Sequence, residues 1–135
     1  MIHVTCAILL DGGKVLLAQN RASSDHPFQW EFPGGKIKPG ESAESCIVRE
    51  IMEELNLKIK IEGALRPVEH EYSIKTVRLI PFICTIISGT MELNNHQDTK
   101  WVSLNKLMNY DLAEADRRLI LLKANWISLK KYIGK

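Results

Sequence analysis

Cysteine is scarce in this chain, and its placement excludes two kinds of site. The 135 residues include only three cysteines, Cys6, Cys46 and Cys84, which are odd in number and far apart. A disulfide framework needs paired cysteines, and a structural zinc site needs closely spaced ones. The cysteines are therefore predicted to be small core residues in a protein of a reducing compartment.

Long apolar runs and a strong net charge are also missing. No stretch reaches the roughly 18 apolar residues of a membrane span, and the N-terminus lacks the basic and then apolar segment of a secretory signal. The net charge is only +2, from 18 basic and 16 acidic residues, which indicates neither nucleic-acid nor membrane binding. We expect a cytoplasmic protein with no nucleic-acid or membrane partner.

Internal repeats, low-complexity segments and linkers are absent as well. The composition, 45% hydrophobic and 25% charged, is typical of a globular protein, and 135 residues suffice for one domain but not for two. We predict a single domain over residues 1–135. The sequence leaves open whether it is a monomer or a homodimer.

Apolar periodicity predicts a β-hairpin at the N-terminus. Apolar residues stand at every second position over residues 2–8, the period of a half-buried strand, and Asp11-Gly12-Gly13 forms a turn into a second strand at residues 15–17. Residues 21–29 are polar and predict a loop. Pro33-Gly34-Gly35 is then expected to interrupt regular structure.

A helical period replaces this alternation between residues 42 and 55. Ser42 is placed to cap the helix N-terminus, and Asn56 is expected to end it. The inward face recurs at four-residue intervals, at Ala43, Ile47, Ile51 and Leu55.

Strands and helices continue to alternate in the rest of the chain. Further strands are predicted at residues 57–61, 68–72, 77–87 and 101–102. A second helix is expected over about residues 115–132, with an inward face of Leu119, Leu122, Trp126, Leu129 and Ile133. Because no strict βαβ repeat appears, we predict an α/β (α+β) fold in which a mixed β-sheet is sandwiched between α-helices.

Three glutamates on the first helix call for a partner. Glu50, Glu53 and Glu54 stand at i, i+3 and i+4 and therefore share one helix face. Like charges at this spacing destabilise a helix, and convergent carboxylates suit the hard cations Mg²⁺ or Mn²⁺. Taken alone, the triplet is more often a solvated acidic surface.

The segment before the helix makes the triplet specific. Gly35 is followed after five residues by Glu41, and after seven more by Arg49-Glu50-Ile51-Met52-Glu53-Glu54-Leu55-Asn56-Leu57. This string, residues 35–57, closely resembles the Nudix box, with every defined position matched except Asn56, where the family has glycine. Asparagine is the non-glycine residue that best tolerates the left-handed conformation needed after a helix, so we interpret it as a structural replacement.

The Nudix resemblance implies a set of metal-binding residues. The implied ligands are the carboxylates of Glu50, Glu53 and Glu54, joined by the Gly34 carbonyl. Arg49 is expected to orient and partly neutralise these glutamates, and Glu41 to support the site, although a helix-stabilising ion pair explains Glu41 equally well.

One departure from similar proteins affects the general base. They often carry glutamate before the His-Gln that precedes Trp101, whereas this chain has Asn95. Asn95 can bind metal through its carbonyl oxygen, but an amide cannot act as a base. Glu53 or Glu54 is the preferred base, with His96 and Asp98 as alternatives.

The resemblance also implies residues that bind substrate. Lys36 is expected to contact a phosphate, and Arg21 and Phe32 to face the nucleotide. Asp116 is expected to read the nucleobase edge, although its position suits an acid in the first turn of the last helix equally well.

Outside the box, the chain is similar to MutT-like and CTP pyrophosphohydrolase-like nucleoside triphosphatases. The resemblance rests on the hairpin, Gln19-Asn20-Arg21, Trp30-Glu31-Phe32-Pro33-Gly34-Gly35-Lys36, His96-Gln97 and Leu112-Ala113-Glu114-Ala115-Asp116. It implies Mg²⁺- or Mn²⁺-dependent hydrolysis of a nucleoside triphosphate, either an 8-oxo-dGTP-like or a pyrimidine nucleotide, to nucleoside monophosphate and pyrophosphate.

Two alternative functions stay open from the sequence. A nucleotide sugar or dinucleotide could be the substrate, but no long insertion builds a pocket for a second large group. A non-catalytic nucleotide-binding module is the other alternative, although such a module has no reason to keep three mutually repelling acids.

Overall fold

A computed structural model describes residues 1–134 as a mixed β-sheet with helices on both faces. The strands are β1 (Ile2–Asp11), β2 (Lys14–Gln19), β3 (Trp30–Glu31), β4 (Gly34–Lys36), β5 (Lys58–Ala64), β6 (Val68–Tyr72), β7 (Lys75–Ser88) and β8 (Asp98–Ser103). The helices are α1 (Ala43–Leu55), α2 (Glu114–Leu121) and α3 (Lys123–Ile133), with a short 3-10 helix at Leu104–Asn109. The predicted α/β class is confirmed.

Strand β1 lies at the centre of the sheet. It pairs in parallel with β7 from Ile2 opposite Val77 to Leu9 opposite Cys84, and the predicted hairpin joins it to β2 at Leu10 opposite Val15. The expectation of a half-buried strand was wrong, because residues 5–9 are buried on both faces. Parallel strands are covered on both sides, which makes both sets of alternating side chains apolar.

Each face of the sheet carries its own apolar core. Ala7 and Leu9 of β1 pack with the inward face of α1, whereas Cys6 and Ile8 pack with the buried residues of α2 and α3. This arrangement confirms the predicted sandwich. All three cysteines are buried and free, as expected for core residues.

The predicted second helix is two helices. Leu122 takes an extended conformation between α2 and α3 and is 39% exposed, so its predicted inward position was wrong. Buried Asn125 stabilises the break, because its amide bonds the backbone of Arg66 and the carbonyl of Leu119. No glycine or proline marks this break. None of the helices within residues 1–134 is long and apolar enough to cross a membrane.

The glycine-rich segment is more regular than predicted. Instead of interrupting the structure, Gly34–Lys36 forms β4, which pairs antiparallel with β1 through Thr5 opposite Gly35. The pairing brings β4 alongside α1. The loop at residues 21–29, in contrast, has no helix or strand, as expected.

Candidate active site

Helix α1 begins and ends where the sequence predicts. The Ser42 hydroxyl accepts a hydrogen bond of 3.1 Å from the Ser45 N–H, which caps the N-terminus. Asn56 follows the last turn with φ 57°, the left-handed conformation predicted for it. The two caps determine which part of the chain is helical and therefore which way the three glutamates face.

Strand β4 approaches α1 so closely that position 35 has no room for a side chain. A Cβ atom on Gly35 would overlap the carboxyl group of Glu50. A Cβ on Gly34 would likewise overlap the backbone of β1 at Thr5. The two glycines therefore let the Glu50 carboxylate lie directly against β4.

Arg49 links the acidic residues of this segment. Its Nε and Nη2 donate to both oxygens of Glu41 at 2.7 and 2.9 Å, and its Nη1 donates to Glu50 at 3.0 Å and to Glu53 at 3.1 Å. The hydrogen bonds from Arg49 lower the pKa of Glu41 to about 2. The guanidinium thus offsets the repulsion among three carboxylates.

Glu53 and Glu54 have different surroundings although they are adjacent. The side chain of Glu53 is 55% exposed, whereas that of Glu54 is 8% exposed. Burial is the main cause that raises the pKa of Glu54, and the neighbouring Glu50 carboxyl raises it further. Glu54 therefore carries a carboxyl group that is costly to ionise without a cationic partner.

The donor set of α1 fits a divalent cation, although it is not assembled in advance. Within residues 1–134, no three histidine, cysteine or carboxylate side chains already form a metal-binding group. Arg49 donates hydrogen bonds to oxygens of Glu50 and Glu53. Glu54 Oε2 is buried and forms no hydrogen bond within the same residues. Neighbouring carboxylates with an unpaired buried oxygen are the ligands that Mg²⁺ and Mn²⁺ prefer.

The loop before β8 brings a histidine to these carboxylates, not the predicted asparagine. Asn95 is exposed, whereas His96 is buried. The His96 Nε2 lies 3.0 Å from Glu31 Oε2, and its Nδ1 lies 3.7 Å from Glu54 Oε2. Asp98, the other alternative base, is exposed at the start of β8.

A cavity of about 130 Å³ opens beside this cluster. Two of the predicted substrate residues, Phe32 and Asp116, line it together. Asp116 lies in the first turn of α2, and its Oδ2 accepts a hydrogen bond of 2.8 Å from the Phe32 N–H. Burial, followed by the charge of Glu31, raises the pKa of Asp116.

The other two predicted substrate residues do not line the cavity. Arg21 is exposed at the start of the loop at residues 21–29, and Lys36 is exposed at the end of β4. The cavity is lined instead by polar residues that sequence reasoning had not assigned, among them Thr5, Glu31, Tyr72 and Lys75. Of these residues, only Glu31 could have been found from the sequence, because its carboxylate stands between two aromatic residues just before the glycines.

The sequence of this chain also matches a known protein family. A family profile described as NUDIX domain matches residues 1–122. The chain belongs to the NUDIX family. The resemblance seen in residues 35–57 is therefore confirmed, and with it the assignment to a family of hydrolases that generally use divalent metal ions.

Named NUDIX relatives align with most of the chain. A CTP pyrophosphohydrolase of Escherichia coli is 37% identical over 120 residues, which are 89% of this chain and 89% of that protein. A putative 8-oxo-dGTP diphosphatase of Mycobacterium tuberculosis is 28% identical over 115 residues, 84% of this chain and 82% of that protein.

Solved structures agree in fold. The solution structure of the E. coli ORF135 protein superposes with a TM-score of 0.80 at 35% identity, covering 98% of this chain and 92% of that one. The MutT protein of Methanosarcina mazei superposes with a TM-score of 0.82 at 25% identity, covering 99% and 96%.

The close approach at Gly35 of this NUDIX protein gives a first prediction. Gly35→Ala should lower activity by about 10²-fold, because the new methyl group forces the Glu50 carboxylate away from β4 and a misplacement of this kind is costly. The measurement is kcat with the nucleotide substrate that is hydrolysed fastest. Gly12→Ala is the control: its φ of 56° strains the hairpin turn, but a Cβ there meets nothing within 4 Å and leaves the Glu50 contact unchanged, so the folded variant should retain kcat. Equal kcat values for the two variants would contradict the placement of Glu50.

The ion pair between Glu41 and Arg49 gives a prediction for stability against pH. The pKa of Glu41 is lowered from 4.5 to about 2 in the folded protein, so its stabilisation is complete above the ordinary pKa and is lost as the pH falls towards 2. Glu41→Gln should therefore be less stable at neutral pH, and its free energy of unfolding should fall less over this acidic range.

Urea unfolding at a series of pH values measures both effects. Glu44→Gln is the matched control, since Glu44 is an exposed acid in the first turn of the same helix. Parallel stability profiles for Glu41→Gln and the unmodified protein would show that the ion pair does not stabilise the fold.

Proposed function

We propose that this NUDIX protein is a Mg²⁺-dependent pyrophosphohydrolase of a nucleoside triphosphate, either an 8-oxo-dGTP-like or a pyrimidine nucleotide. The products are the nucleoside monophosphate and pyrophosphate. Mn²⁺ is expected to replace Mg²⁺, since both take oxygen ligands in octahedral geometry.

One juxtaposition carries this proposal. Glu31, Phe32 and Gly34 line the cavity, and the next residue, Gly35, lies against the Glu50 carboxylate of α1. A nucleoside in the cavity therefore has its phosphates within reach of the glutamates. A cavity beside a carboxylate cluster is the layout that a nucleotide bound with a metal ion requires.

The glutamates and the arginine of α1 have different roles in the proposed reaction. A bound divalent cation neutralises charge on the phosphate oxygens and lowers the pKa of a water ligand. Half-buried Glu50 and buried Glu54 would hold the cation, with the Gly34 carbonyl as a further ligand. Arg49 holds Glu50 and Glu53 in position through its hydrogen bonds.

Glu53 is the general base that we favour. Its carboxylate is the most exposed of the three and is therefore the one that an attacking water reaches most readily. Glu53 takes a proton from this water while Arg49 fixes one of its oxygens. Lys36, exposed at the end of β4, is assigned to a phosphate of the substrate.

The size of the cavity supports a nucleoside triphosphate over a larger substrate. At about 130 Å³ it is smaller than the roughly 300 Å³ of a common ligand pocket, so it suits a single nucleobase. The E. coli relative is named for CTP and the M. tuberculosis relative for 8-oxo-dGTP, which supports a choice between these two chemistries.

A pyrophosphate-release assay tests the proposal. Purified protein is incubated with Mg²⁺ and a panel of normal, oxidised and methylated triphosphates, with a nucleotide sugar and a dinucleotide included. Turnover of at least one triphosphate, abolished by EDTA, is expected. If nucleotides bind and none of them is hydrolysed, the protein is a binding module and the proposal is wrong.

A further inference from the structure

His96 is the buried histidine that stands between the acidic helix and the cavity. Its side chain is 0% exposed, and its two ring nitrogens face carboxylates from two different elements of the fold. The Nε2 is within hydrogen-bond distance of Glu31 on β3. The Nδ1 faces Glu54 on α1 at 3.7 Å.

The loop around His96 is held from both sides. Asn94 donates from its backbone N–H to the Glu54 carbonyl at 3.0 Å and from its side chain to the Glu53 carbonyl at 2.9 Å. Gln97 bonds Gln19 at the end of β2 through both backbone and side chain. The imidazole therefore has a defined position relative to α1 and to the sheet.

Glu31 extends the contact into the cavity. Its second oxygen accepts a hydrogen bond of 3.2 Å from the Asn20 amide, and the same side chain lines the cavity with Asp116. The next residue, Phe32, bonds Asp116 through its N–H. A series of contacts thus runs from Glu54 through His96 and Glu31 to the cavity wall, and only the first of them, between Glu54 and His96, is longer than a hydrogen bond.

The contact between His96 and Glu54 is the incomplete one. His96 Nδ1 and Glu54 Oε2 are both buried, and neither forms a hydrogen bond within residues 1–134. Buried polar atoms rarely stay unpaired, and a residue behind a metal ligand commonly orients that ligand. A movement of about 0.5 Å is enough to bring the 3.7 Å separation of these two atoms to hydrogen-bond distance, about 3.2 Å.

We propose that His96 is a positioning residue that links the cation site on α1 to the cavity through Glu31. Resting on the proposed function, the inference makes two statements. His96 orients Glu54 and so strengthens cation binding. It also passes the effect of that binding to Glu31 and the cavity wall, so that cation and nucleoside influence each other's affinity.

The test is a Mg²⁺ titration of the full chain followed by amide proton–nitrogen correlation spectra. In the unmodified protein, resonances of residues 50–54 and those of Glu31 and Phe32 should move with the same dissociation constant. His96→Gln keeps a polar group near Nε2 and His96→Asn keeps one near Nδ1, so each variant retains only one half of the link. His96→Gln loses the group that faces Glu54 and should bind Mg²⁺ about 10-fold more weakly or worse, whereas His96→Asn keeps that group and should bind Mg²⁺ nearly as tightly as the unmodified protein.

At saturating Mg²⁺, both variants should show the shifts in α1 and lose those at Glu31 and Phe32. His70→Gln, a half-buried histidine on β6, is the control and should retain both. If Mg²⁺ affinity in His96→Gln and the cavity shifts in both His96 variants are unchanged, or if the unmodified protein shows shifts in α1 alone, the link is disproved and the cation site stands. If α1 itself does not respond, the proposed function fails as well.

Discussion

Glu54→Gln is expected to lower kcat by at least about 10²-fold while leaving the protein folded. Glutamine has the same shape as glutamate but cannot supply the anionic oxygen that a divalent cation requires. Glu53→Gln should lower kcat by a similar factor because an amide cannot accept the proton of the attacking water. Both constants are measured by pyrophosphate release at saturating substrate and Mg²⁺.

The free energy of unfolding of Glu54→Gln should depend on pH differently from that of the unmodified protein. Because burial raises the pKa of Glu54 in the folded protein, the folded state binds more protons than the unfolded state above the ordinary carboxyl pKa. Without metal, Glu54 therefore lowers the free energy of unfolding as the pH rises from its ordinary pKa of 4.5 towards its raised pKa in the folded protein. Glu54→Gln should remove this fall, so its unfolding in EDTA should depend less on pH.

The control for both glutamine variants lies on the same helix. Glu44→Gln changes an exposed acid outside the carboxylate cluster and should retain kcat. If both Glu53→Gln and Glu54→Gln keep a kcat close to that of the unmodified protein, the assignment of the metal site to α1 is wrong.

Asp116→Asn is expected to change which nucleotide the protein prefers. The substituted side chain would keep a carbonyl oxygen for the Phe32 N–H, so the structural hydrogen bond survives, but its NH₂ group offers donors that a carboxylate lacks. A mismatched buried polar group discriminates strongly between substrates. The ratio of kcat/KM for a pyrimidine triphosphate to that for 8-oxo-dGTP should change by about 10²-fold.

The comparison of two substrates distinguishes recognition from a purely structural role. An acid that only stabilises the first turn of α2 would, on replacement, affect both substrates by the same factor. Glu114→Gln changes the neighbouring exposed acid of that turn and should leave the ratio unchanged. An unchanged ratio in Asp116→Asn would therefore remove this residue from the nucleobase site.

The elements predicted most accurately are those whose signals are local. Ser42 and Asn56 bound α1 because a side-chain hydrogen bond and a left-handed residue act within one turn of the helix. The same locality explains the hairpin at residues 11–13. The break at Leu122 was missed because it depends on Asn125, which bonds Arg66, 59 residues away in the chain.

The candidate site shows the same division. Arg49 and the three glutamates share one helix, so their spacing alone places them together. Glu31 and His96 are 65 residues apart in sequence, and only the pairing of β3 and β8 with β2 brings them to one place. Asn95 and His96 are neighbours, but residues 92–95 and 97–98 are all exposed and only His96 turns inward, which no sequence pattern of this loop indicates.

By itself, the sequence determined the family and the acidic helix, because both depend on spacing within a short segment. The tertiary structure alone decided that Gly35 leaves room for the Glu50 carboxylate, that Asp116 meets Phe32 at the cavity, and that His96 lies between Glu31 and Glu54. These contacts join residues from separate strands, helices and loops. Their distances follow from strand register and core packing, which no local pattern encodes.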